Sequence, residues 1–298
     1  VMKLLTYKLP GEEKERLGVM SSSEFEKFFP LEELGLEFLD MNDLIARVKP
    51  EEMELMKKAS CGLQDKTLNY KEVIHCAPIP HPHQDIICLG LNFMDHAEES
   101  TRYKKEVFQR ERRYAVYFSK RVNEAIGDGA KIPSYPGLVD SLDYEAELGV
   151  VLGKDAFQVK REDAFDYVFG YTVLNDVSAR NIQTRHKQWY FGKSMDGFTP
   201  MGPFLVTEDD MKRPPILTIK SRVNGVLRQN GRTDQFIFDI PHVIEELSSG
   251  MTLKAGTIIS MGTPAGVGMG MMPPRFLSPG DVVECSVEGI GMITNQVV

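Results

Sequence analysis

The sequence predicts an α+β chain that is mostly β, and three observations carry that expectation. After residue 85 the chain breaks into short apolar runs separated by turn residues, the spacing of a strand-rich domain. Before residue 75 it is more charged and reads with helical periodicity. Between the two, "APIPHPHQ" (77–84) is broken by proline, which fixes φ and lacks an N–H, so neither a helix nor a central strand runs through it. The expected organisation is a small N-terminal α+β domain over 1–75 and a larger domain over 76–298.

In the leading part, "MKLLTYKL" and "RLGVM" read as a hairpin, and "SSEFEKFF" and "MNDLIARVKPEEMELMKKAS" as helices. Ser21 to Ser23 and Asn42 or Asp43 offer N-caps. Strands are then expected at "DIICLGLN", "YAVYFSK", "ELGVVLG", "YVFGYTVLNDV", "PFLVT", "LTIKSRVNG", "GTIISMG" and the C-terminal "DVVECSVEGIGMITNQVV". Asn224-Gly225 is a hairpin signal, and "IPHVIEELSSG" reads as a helix ended by Gly250. There is no internal repeat, heptad pattern or low-complexity tract.

Composition excludes several partners. Lys and Arg number 35 against 43 Asp and Glu, a net charge of −8, and no basic run interleaves with aromatics. Nucleic acid is not expected. The start "VMKLLTYKLPGEEKERLG" is too briefly apolar for a signal peptide or a spanning helix, so a cytoplasmic protein without membrane partners is expected. Cys61, Cys76, Cys88 and Cys285 lack CxxC spacing, which fits a reducing compartment and buried or free thiols.

The chemistry centres on "LDYEAELG" (142–149). Residues two apart on a strand share a face, so Glu145 and Glu147 stand side by side and repel unless a cation intervenes. With Asp176, at the end of "YTVLNDVSAR", they make a hard oxygen set suited to Mg2+, Mn2+ or Ca2+. On spacing alone, a solvated strand face accounts for the two glutamates equally well. In "GLNFMDHAEES", His96 and Glu99 are three apart and share one helical face, where a carboxylate fixes the imidazole tautomer for water activation; a surface histidine is the plainer reading. Lys193 sits in the Gly- and Pro-rich "FGKSMDGFTPMGP", either lining a cavity or exposed on a loop. "MGTPAGVGMGMMPP" offers backbone N–H groups to an anion, but prolines after its glycines forbid the helix a dinucleotide fingerprint requires. His75, Cys76, His81 and His83 form a weaker, zinc-type alternative near the connector.

Taken in order, "CLGLNFMDHAEE", "LDYEAELGVVLGK", "FGYTVLNDVSARNIQ", "GKSMDGFTPMGP", "MGTPAGVG" and "LSPGDVVECSVEGIGMITNQV" resemble the fumarylacetoacetate hydrolase family over roughly 85–298. The resemblance implies a mixed β-roll or sandwich catalytic domain, a homodimer, and a small N-terminal domain of the longer members. It places the metal on Glu145, Glu147 and Asp176, with Mg2+ or Mn2+ as the ion. It places a His–Glu dyad on His96 and Glu99, the motif lysine on Lys193, and substrate contacts at Arg180, Gln183 and Thr263. Two positions depart from the usual pattern: Met261 precedes Gly262, and Lys120 is followed by Arg121 rather than proline, which bears on Lys120 as a pocket residue. The implied activity is C–C hydrolysis of an acylpyruvate or fumarylpyruvate type of 2-oxo acid through a metal-bound enolate. Isomerisation, decarboxylation and lyase chemistry pass through the same enolate, and a 2-oxo acid binding module is the non-enzymatic alternative.

Overall fold

The computed structural model describes residues 1–24, 26–62, 66–104, 113–209 and 211–298. An eleven-stranded mixed sheet runs in the order Leu68–Asn69, Lys27–Pro30, Arg16–Met20, Lys3–Lys8, Met201–Thr207, Val168–Asn175, Ala146–Leu152, Ile258–Ser260, Ile86–Gly90 and Val116–Lys120; Ile74–His75 pairs beside Lys3–Lys8. A five-stranded sheet orders Val226–Arg232, Thr218–Val223, Val282–Val287, Gly291–Val297 and Lys131–Ile132, and a short ribbon joins Leu142–Asp143 to Ser178–Ala179. The predicted mostly-β, α+β class is the class observed.

The strand Ala146–Leu152 is buried along its whole length. Leu148, Val150 and Leu152 pack with Ile219, Val283, Val287 and Ile293 of the five-stranded sheet. Val151, on the opposite face, joins Met41, Leu44, Ile45 and Met56 of the leading helices. Covering both faces is why "ELGVVLG" reads as a continuous apolar run rather than an alternation. Lys3–Lys8 pairs with Arg16–Met20 on one side and Met201–Thr207 on the other, so one sheet runs unbroken from the first strands into the centre of the fold.

The expected hairpins form at both places; Asn224 and Gly225 take φ of 51° and 76°, the left-handed pair a tight two-residue turn requires. The connector carries no helix or strand. Elsewhere the expectation is corrected. "SSEFEKFF" forms no helix among its described residues: Lys27–Pro30 is a strand, because Phe28 and Phe29 bury themselves on its two faces, and Ser21 Oγ accepts from the Glu24 N–H in a turn. Residues 41–60 make two helices, Met41–Arg47 and Pro50–Cys61. Pro50 forces Lys49 into extended backbone and opens the second helix, while Asp40 caps the first through the Asp43 N–H. The late helix, Ile240–Ser248, is capped by Asp239.

Candidate active site

Strand parity puts Glu145 and Glu147 on one face, and strand register brings the third carboxylate. Ala146 pairs with Asn175 and Glu147 with Leu174. One step further along the same antiparallel ladder sets Glu145 opposite Asp176, whose N–H donates to the Glu145 carbonyl at 2.8 Å. The side chains of Glu145, Glu147 and Asp176 each offer an oxygen within 4.8 Å of the others, and all three are buried. The solvated-face reading is thereby removed.

Buried cations surround two of the three. Lys193 Nζ lies 2.7 Å from both Glu145 Oε2 and Asp176 Oδ2. Lys120 Nζ lies 2.7 Å from Asp176 Oδ1 and donates to the carbonyls of Val177 and Lys193. Arg180 places Nη2 2.7 Å from Glu145 Oε1 and Nε 2.9 Å from Asp143 Oδ2. Glu147 has no basic partner at ion-pair distance among the described residues; Ser260 Oγ and the Gly262 N–H both donate to its Oε2.

The electrostatics follow from that asymmetry. Burial works to raise the carboxyl of Glu145, but Lys193 and Arg180 outweigh it and hold the group well below the usual carboxylate range. Glu147 is pushed well above that range, first by burial and then by the charges of Asp176 and Glu145. Burial likewise works to lower Lys193, yet Asp176 and Glu145 keep it above its ordinary value. Three hard oxygen donors, one of them buried without a cationic partner, fit a divalent cation of the Mg2+, Mn2+ or Ca2+ class.

His96 and Glu99 lie on the helix Met94–Lys104, and His96 Nδ1 is 3.1 Å from Glu99 Oε2 with both side chains buried. A carboxylate only accepts, so Nδ1 carries the proton and Nε2 is left basic. The Gly266 N–H donates to both Glu99 oxygens, at 3.1 and 3.3 Å. Gly270 closes over the same carboxyl: a Cβ there would fall 2.0 Å from Glu99 Cδ, so only glycine permits the approach.

One cleft gathers His96, Glu145, Glu147, Arg180, Gln183, Lys193 and Thr263. Leu89, Phe118, Trp189 and Met269 line it as well, with Ser100 and Thr184. Asp176 and Lys120 line a smaller space behind it beside Cys88 and Ser260, so Lys120 supports the acidic corner from the rear. Gln183 Oε1 accepts from Arg180 Nη1, and the Thr263 hydroxyl donates to the Ala146 carbonyl while accepting from Gln229 Nε2. Lys193 is buried at the end of the short helix Tyr190–Lys193, which removes the exposed-loop reading.

The zinc-type alternative is not assembled. His75 stacks on Tyr70, His81 binds the Asn123 carbonyl, and among the described residues the three carboxylates are the one group of side chains placed to share an ion. No helix follows Gly270, as the prolines after it imply. Asp143, Gln229 and Ser260 were not anticipated. Asp143 had a local signal, since Asp143, Glu145 and Glu147 alternate along "LDYEAE". Gln229 and Ser260 arrive through sheet pairing and had none.

The fumarylacetoacetate (FAA) hydrolase C-terminal family matches residues 85–298. Oxaloacetate tautomerase YisK of Bacillus subtilis (strain 168) is 43% identical over 82% of this chain and 79% of its own length. A fumarylacetoacetate hydrolase structure from psychrophilic Exiguobacterium antarcticum superposes with a TM-score of 0.82 at 35% identity, covering 100% of this chain and 99% of that one. A structure of a probable 2-hydroxyhepta-2,4-diene-1,7-dioate isomerase from Mycobacterium abscessus gives 0.79 at 29% identity, covering 99% and 98%. No described helix is long and apolar enough to cross a membrane. The chain belongs to the fumarylacetoacetate hydrolase family and is an enzyme of that superfamily.

Proposed function

We propose that this chain is a divalent-metal-dependent enzyme of small 2-oxo acids that moves a proton at the carbon beside the keto group, as an oxaloacetate-type tautomerase or isomerase. The observation that carries this reading is one buried imidazole, oriented by Glu99, opening on the same cleft as Glu145 and Glu147 of the three-carboxylate cluster. The 43% identity to an oxaloacetate tautomerase supports the reaction type.

Glu145, Glu147 and Asp176 would hold the cation, and Mg2+ is the ion proposed. A bound divalent ion supplies Lewis acidity that polarises the keto group. Lys193 and Arg180 give the cleft positive charge that draws in the carboxylate and stabilises charge developing on the keto oxygen. Gln183, bonded to Arg180, orients that guanidinium toward the same end, and Thr263 holds its stretch of backbone against Ala146. His96 Nε2 takes the proton from the carbon beside the ketone and returns it to the oxygen, or runs the sequence in reverse; Glu99 stabilises the imidazolium between the two transfers. Leu89, Phe118, Trp189 and Met269 exclude water from the wall of the cleft.

Hydrolysis of a C–C bond in an acylpyruvate, which the sequence placed first, is the second reading. It is favoured by the likeness to the 35% identical fumarylacetoacetate hydrolase of Exiguobacterium antarcticum, and it uses His96 Nε2 to deprotonate water instead of carbon. Turnover of enol oxaloacetate, acylpyruvates, 2-oxohept-3-ene-1,7-dioate and ureidoglycolate with Mg2+, Mn2+ or Ca2+, before and after EDTA, separates the readings. Chelator-sensitive loss of the enol is expected, cleavage confined to acylpyruvates would favour hydrolysis, and no turnover with any ion would end the enzymatic reading. We further propose a homodimer located in the cytoplasm, with residues 1–75 acting as a leading domain to a catalytic unit over 76–298.

A further inference from the structure

The stretch Gly262–Gly270 touches the site at several points, and two of its contacts end on a carboxylate that the mechanism above does not use. Asp143 is fully buried and accepts four donors. Its Oδ1 takes the N–H groups of Tyr144 and Gly268, at 2.9 and 2.7 Å. Its Oδ2 takes the Met269 N–H and Arg180 Nε, both at 2.9 Å. Arg180 in turn pairs with Glu145, and two residues before Gly268 the Gly266 N–H seats Glu99. Gly268 has no room for a side chain against this anchor, because a Cβ there would lie 2.7 Å from Asp143 Oδ1 and 2.2 Å from the Arg275 carbonyl oxygen.

We infer that Asp143 is a positioning residue that sets His96: it holds the glycine-rich loop in the place from which Gly266 orients Glu99, and it ties that place to the arginine beside Glu145. The inference deepens the proposed function by assuming that the dyad is the proton-transfer group. Its physical core is that each oxygen of Asp143 already accepts two donors. An asparagine has nearly the same shape, but whichever way its amide is turned, the NH2 group faces two donors and the loop is pushed away.

The test reads His96 in 15N-histidine-labelled protein without metal or substrate. In the parent protein the Nδ1 proton is bonded to Glu99 and gives a downfield, slowly exchanging resonance. Asp143→Asn is expected to shift or remove that resonance as Glu99→Gln does, while cooperative unfolding is retained. Gly268→Ala, which displaces the loop with the carboxylate intact, is expected to give the same signature, and the double variant no more than the larger single effect. On a substrate that turns over, kcat is expected to fall about 10–100-fold with KM within about threefold. If Asp143→Asn does not fold, Gly268→Ala decides alone. An unchanged His96 resonance in a folded variant, or additive effects, would overturn the inference. Failure of every 2-oxo acid to turn over would remove the catalytic reading and leave the resonance result standing.

Discussion

Glu145 and Asp176 face each other because two strands pair in register, whereas His96 and Glu99 meet because one turn of a helix is pressed by a glycine-rich loop. The acidic corner therefore inherits the stiffness of a sheet covered on both faces. The dyad depends on the Gly266 N–H, a missing Cβ at Gly270 and a single carboxylate, Asp143, that anchors the loop. The difference teaches that the corner is hard to move, while the dyad is easy to displace. Substitutions at the corner should act on ion binding, and substitutions around the loop on proton transfer with the ion retained.

The largest effect is expected from Glu147→Ala. Losing the ligand and its Lewis acid, worth several kcal/mol, should lower metal-dependent turnover by about 10³-fold or more and abolish Mn2+ binding in a calorimeter. Retained binding with full activity would move the ion away from this corner. His96→Ala should cost about 10² to 10³-fold in kcat with Mn2+ affinity unchanged. Loss of the ion in that variant would erase the distinction between the two halves of the site. Gly270→Ala drives a methyl into the Glu99 carboxyl, and an ångström of misplacement should cost about 10 to 100-fold with the ion still bound. Normal turnover there would mean the loop yields more readily than its contacts imply.

The smallest expected effect gives the scale of an ordinary ion pair remote from both halves. Burial works to lower His75, but the Asp128 carboxylate 3.7 Å away and a hydrogen bond with the Tyr70 carbonyl raise it overall. A raised histidine contributes stability that is fully present below its unfolded pKa and is lost as pH rises through the folded value. Asp128→Asn should accordingly lower the melting temperature at pH 5.5, by less than about 1 kcal/mol in stability, and leave it unchanged at pH 9. Equal losses at both values would mean that Asp128 acts through the Thr294 N–H it also binds, not through charge.

Much of the site was legible because its signals are local. Strand parity announced Glu145 and Glu147, and helical spacing announced His96 and Glu99. Asp176 entered as a third carboxylate at a strand end and was strengthened by motif order, because the register that sets it opposite Glu145 joins residues distant in sequence and leaves no trace in either segment. Lys120 was uncertain for the same reason: its value lies in reaching Asp176 from a strand that does not neighbour Asp176's own in the sheet. In the fold, the missed strand Lys27–Pro30 shows tertiary burial of Phe28 and Phe29 overriding a charged, helix-like stretch. The break before Pro50 was readable, since the residue preceding a proline avoids helical backbone.

Trp189 stands in the wall of the cleft with its ring edge-on to Phe118 at 5.1 Å, and Gly90 lies so close beneath the indole that any Cβ there would strike it. It is also the only tryptophan in the chain. Indole emission from this protein thus comes from a single fluorophore mounted in the wall of the candidate pocket, so an unlabelled titration with an ion or an oxo acid tests occupancy of that pocket.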